Sequence, residues 1–71
     1  MYKDELGNIY KVLSGVIRGQ VVYRIYFRQR GGRWAEWSTK THSTGVSALE
    51  ELTETAKKRG WTPVMNAVTV R

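Results

Sequence analysis

The sequence predicts an α+β fold of order β-β-β-α-β: a three- to four-stranded, mainly antiparallel sheet with one helix packed on one face. Three observations carry this expectation. β-branched and aromatic residues crowd residues 9–40 and are interrupted by Gly-containing turns, as in a meander of strands. Apolar positions then recur at three and four residues over 46–59, the period of a helix. After Gly60, Val64, Val68 and Val70 return to even spacing, so residues 61–71 read as a fourth strand. With 71 residues, the chain has room for one modest core and is read as a single domain over 1–71.

The first three strands are placed at residues 9–17, 21–29 and 33–40. Met1 to Lys3 add a short strand through a turn at Asp4 to Asn8. In the first long strand, Tyr10, Val12 and Val16 compete with Ile9, Leu13 and Ile17 for the inner side, and the pattern leaves both open. The second hairpin is more decisive, because only one loop length keeps a face apolar. A two-residue loop would set Glu36 against Phe27 and Ser38 against Ile25. A three-residue loop, Arg30-Gly31-Gly32, instead pairs Phe27 with Ala35, Ile25 with Trp37 and Tyr23 with Thr39, and its glycines supply positive φ. The expected core face is Val21, Tyr23, Ile25, Phe27, Ala35 and Trp37. The opposite face carries Arg24, Tyr26, Arg28, Trp34, Glu36, Ser38 and Lys40.

In the helix, Val46, Leu49, Leu52 and Ala56 form the expected apolar stripe. Ser47 with Glu50 fits a capping box, and Ser43 or Thr44 fits a slightly earlier start. Glu50, Glu51 and Glu54 precede Lys57, Lys58 and Arg59, the order that suits the helix dipole, and Gly60 is a natural stop. Pro63 places the fourth strand at an edge.

Twelve Lys and Arg against six Asp and Glu give a net charge of +6, which implies an anionic partner. The excess is local: residues 18–40 hold six basic side chains and one acid, a net charge of +5. The absence of Cys removes disulfides and thiolate zinc sites and makes a reducing, cytoplasmic location the default. Apolar runs are too short for a signal peptide or a membrane span.

Catalysis lacks material. The chain has one His, His42, set in a loop of hydroxyl residues with no carboxylate beside it in sequence, so a Ser/His nucleophile is set aside and no enzyme activity is expected. One His and scattered acids offer no metal-ligand spacing, and no cofactor fingerprint is present.

The informative constellation is therefore basic and aromatic. Arg18, Arg24, Tyr26, Arg28, Arg30, Arg33, Trp34 and Lys40 are the candidate nucleic-acid-binding residues. Arg donors match phosphate, flat rings stack on bases, and Arg30 and Arg33 flank a glycine tip able to track a backbone. A structural reading of the same residues makes them a solvated face with Arg28 stacked on Trp34. Element order resembles the arm-binding domains of tyrosine recombinases, which implies a sheet laid in a DNA groove; the strand after the helix departs from that pattern. The leading expectation is thus a basic, non-enzymatic nucleic-acid-binding module contacting the phosphate backbone, with DNA favoured over RNA. The rival is an inhibitor or accessory module docking its Arg and aromatic face on an acidic protein surface, as small products of viruses and mobile elements do. Homodimerisation through an open strand edge is compatible with either.

Overall fold

The computed structural model describes residues 1–64. One five-stranded antiparallel sheet is backed by one helix, in the order β1 (Tyr2–Lys3), β2 (Ile9–Ile17), β3 (Gln20–Arg28), β4 (Trp34–Glu36), α1 (Gly45–Arg59) and β5 (Thr62–Pro63). The strand order across the sheet is β4-β3-β2-β1-β5. The α+β expectation holds, with β1 and β5 added beside the meander. β5 forms an edge, which suits a Pro that has no N–H to donate; Val68 and Val70 lie outside the described residues.

The hairpin register is the one that the apolar face requires. Phe27 pairs with Ala35 and Arg28 with Trp34, and the Trp37 N–H donates to Ile25 O at 3.0 Å. The tip closes through the Gly32 N–H to Gln29 O at 2.8 Å, with Gly31 at φ 76°. Beyond Trp37 the expected register fails. Tyr23 bridges His42 rather than Thr39, through paired backbone bonds of 2.8 Å each, so Ser38 to Thr41 leave the ladder. Hydroxyl residues make that exit favourable: Ser38 Oγ accepts the Lys40 N–H at 3.1 Å, a local bond that competes with pairing.

Tyr10 pairs with Phe27 and Val12 with Ile25, and all four lie on the helix side of the sheet. Of the two open alternatives for β2, Tyr10 and Val12 are therefore the inward set. Two members of the expected core face are exposed: Ala35, on the short edge strand, and Val21, at the β2–β3 hairpin end where Val16 and Ile17 are exposed as well.

The helix presents a different stripe from the one expected. Ala48, Leu52 and Ala56 are buried, whereas Val46 is 69% and Leu49 50% exposed. The earlier of the two candidate starts is the real one. Thr44 caps the helix, accepting the Ser47 N–H at 3.1 Å, and Glu50 consequently falls outside the first turn. Small residues at the contact let the backbone approach an aromatic sheet; a Cβ at Gly45 would already sit 3.6 Å from the Tyr23 ring. At the other end Gly60 takes φ 73°, and the Trp61 N–H bonds Ala56 O at 2.9 Å, which turns the indole back into the core.

That turn completes an aromatic cluster around Tyr10. The Trp61 ring stacks on Tyr10 with centroids 3.8 Å apart, Phe27 lies 6.0 Å away in near-parallel orientation, and Trp37 meets the tyrosine edge-on at 6.1 Å. The Tyr10 hydroxyl donates at 2.8 Å to Asp4 Oδ2, which also accepts Asn8 Nδ2, while Oδ1 takes the backbone N–H groups of Leu6 and Asn8, each at 2.9 Å. Burial raises the Tyr10 phenol, and the Asp4 carboxylate raises it further. For Asp4, burial pushes the carboxyl up, but hydrogen bonds from Tyr10, Asn8 and the turn amides outweigh it, and the group sits below the ordinary aspartate value.

A depressed carboxyl stabilises the fold above its unfolded pKa and loses that contribution as pH falls through the folded pKa. Tyr10→Phe keeps the ring stack and removes one charge-assisted bond, so an expected loss of roughly 1.5–3 kcal/mol at neutral pH should shrink as the solution is acidified below about pH 4. Urea denaturation of both proteins across that range checks this, and a pH-independent difference contradicts it.

Candidate nucleic-acid interface

Directly paired residues of antiparallel strands point to the same side of a sheet. With Tyr10, Val12, Ile25 and Phe27 turned toward the helix, the outer face is built in rows. Ile9, Arg28 and Trp34 make one row, Lys11, Tyr26 and Glu36 the next, and Leu13 with Arg24 and Gly15 with Val22 follow. Successive rows are about 7 Å apart, two residues along a strand.

Trp34 is the centre of the cationic part. Neither the helix nor β5 covers it. Two cations pack on its ring, Lys11 Nζ at 4.3 Å from the centroid and the Arg28 guanidinium carbon at 5.2 Å. Lys11 is absent from the candidates drawn from the sequence. The signal for it was parity: once Tyr10 is inward, Lys11 must be outward. The other two tryptophans behave differently, since Trp37 and Trp61 pack in the core beneath Arg59.

The eight expected residues do not form one patch. Tyr26, Arg28 and Trp34 lie together, and Arg30 and Arg33 are exposed at the adjoining hairpin tip. Arg24 shares the face, but its guanidinium is ion-paired with Glu36, diagonal to it across β3 and β4. Glu36, the one acid between Arg18 and Lys40, thus neutralises one of the cations of the face. Arg18 sits in the opposite turn at φ 52°, separated from the Gly31 tip by the whole nine-residue length of β3, about 30 Å. Lys40 falls in the segment that leaves the ladder between Trp37 and His42, so strand alternation no longer places it on the outer face.

A second constellation lies at the helix start. His42 Nδ1 is 2.7 Å from Ser47 Oγ, and Nε2 is 2.6 Å from Glu51 Oε1. No carboxylate stands beside His42 in the sequence. The helix supplies one, because Ser47 and Glu51 are four residues apart and share a face. The arrangement resembles a triad in connectivity, yet it is largely enclosed, and Ser47 lines neither the cavity on the outer sheet face nor the one between the Asp4 turn and Arg59 to Trp61. Its evident work is structural: it fastens the strand-exit loop, already held by Tyr23, onto the first turns of α1. Among the described residues no group of three or more His, Asp or Glu side chains is placed to hold a metal ion. No described helix is long and apolar enough to cross a membrane.

No family model matches the chain, and no curated protein and no solved structure matches it either. The resemblance to recombinase arm-binding domains therefore rests on element order alone, and the two short strands beyond β2, β1 and then β5 at the edge, depart from a three-stranded pattern.

His42→Ala should cost roughly 1–3 kcal/mol, because it leaves two polar side chains without their shared partner. Urea denaturation measures it, and an unchanged midpoint would remove the structural role assigned to this cluster.

Proposed function

We propose that the chain is a non-enzymatic nucleic-acid-binding module that lies on phosphates through the outer sheet face and the Arg30–Arg33 tip. The observation that carries the reading is the stack of Lys11 and Arg28 on Trp34, on the side of the sheet away from the helix acids. A solvated face with no partner normally mixes charge signs, and here the single acid is consumed by Arg24. Cations held on an aromatic platform are already ordered, which lowers the side-chain entropy lost on binding. Tyr26, one row away, adds a second ring for base contact. Absence of Cys fits action in a reducing compartment such as the cytoplasm.

Fluorescence anisotropy of labelled DNA and RNA over a salt series tests the proposal. Wild type should bind with a steep inverse salt dependence, and the Arg30→Ala, Arg33→Ala double variant should reduce the log–log slope by about 1.4–1.8, two phosphate contacts' worth. A Lys11→Ala, Arg28→Ala variant that folds normally should bind roughly tenfold or more weakly. Absence of binding near physiological salt, or binding indifferent to all four residues, would replace nucleic acid with an acidic protein surface as the partner.

A further inference from the structure

The outer face also holds a cavity that the phosphate contacts leave unused. Its volume is about 180 Å³, and Leu13, Gly15, Val22, Arg24, Tyr26 and Glu36 are among its lining residues. Gly15 is what opens it. Glycine inside a strand lowers stability, and at this position, seventh of the nine residues of β2, neither a turn nor a positive φ calls for one. A Cβ built at this position meets nothing within 4 Å, so the missing side chain leaves a depression between Leu13 and Val22 rather than relieving a clash.

We infer that this cavity receives one unstacked nucleobase, and that the ligand of the face is single-stranded nucleic acid rather than an intact duplex. The inference rests on the binding reading above and specifies its ligand. The space is smaller than the ~300–1,000 Å³ usual for small-molecule sites, and it suits a single planar ring system. Aliphatic side chains line it, and the Tyr26 ring stands at one side for stacking. Its polar rim is the Arg24–Glu36 pair. Because that pair is neutral overall it does not attract phosphate, while its N–H and carboxylate oxygens offer a donor and an acceptor to a base edge.

The neighbouring row places the phosphate. Lys11 is the direct cross-strand partner of Tyr26, and Arg28 follows one row further toward the tip. A strand laid along β3 would therefore put a base at Gly15 and its backbone over Lys11, Arg28 and then Arg30 and Arg33. Bases of a paired, stacked duplex cannot enter such a depression without being extruded.

The test compares wild type with Gly15→Val, binding a fluorescein-labelled mixed-sequence single strand and its duplex, at one salt concentration. Valine favours strand geometry and finds open space, so the variant should fold with equal or higher thermal stability, and Gly15→Ala serves as a smaller filler that keeps the test valid should Val misfold. Wild type should prefer the single strand, and Gly15→Val should weaken single-strand binding by about tenfold, the worth of one stacked base, with little effect on residual duplex binding. Equal single-strand affinity in a folded variant, or wild-type preference for duplex, would overturn the inference while leaving the cationic face standing. Binding of neither nucleic acid would overturn both.

Discussion

Tyr10 is the residue on which the rest of the structure depends. Its ring is stacked by Trp61 from beyond the helix, flanked by Phe27 from the neighbouring strand and met edge-on by Trp37, while its hydroxyl anchors the Asp4 turn. One side chain thus ties together the N-terminal turn, the sheet and the segment that follows α1. Among the described residues the largest fully buried side chains are Ile25 and Leu52, and the partly buried aromatics around Tyr10 supply much of the apolar burial.

That constraint also decides the outer face. Strand side chains alternate, and a slip of one residue would exchange the two faces. Holding Tyr10 and Phe27 inward forces Lys11, Tyr26 and Arg28 outward, and β4 pairing then sets Trp34 beside Arg28. The aromatic core and the cationic platform are therefore two consequences of one register. Charge is segregated by the same geometry, with the helix acids Glu50, Glu51 and Glu54 on the far layer and Lys11 and Arg28 on the exposed side of the sheet.

How much of this was legible in the sequence depended on the kind of signal. The register of the β3–β4 hairpin was readable because a wrong loop length buries Glu36 or exposes Phe27, and Gly31 marks the turn. The helix was readable in extent and not in face: counting large apolar residues favours Val46 and Leu49, whereas close packing against the sheet buries the small Ala48 and Ala56 and sets Gly45 against the Tyr23 ring. Departure of Ser38 to Thr41 from the ladder turned on side-chain to backbone bonds that alternation does not register. For the site, the basic and aromatic residue types were visible, but partners were not. Glu36 claims Arg24 only through a diagonal across two strands, Glu51 reaches His42 only once the helix is built, and Lys11 becomes visible only after Tyr10 is assigned inward.

The central claim is that the outer sheet face is the binding surface for nucleic acid, and amide and indole chemical shifts during titration with a single-stranded oligonucleotide test it most directly. The three tryptophans provide internal reporters, since Trp34 lies on the outer face and Trp37 and Trp61 in the core. The expected result is large shifts for the Trp34 indole N–H and the amides of Lys11, Gly15, Tyr26 and Arg28, with Trp37, Trp61 and the helix little changed. Shifts concentrated on α1 and the His42 loop, or none at saturating oligonucleotide, would contradict it.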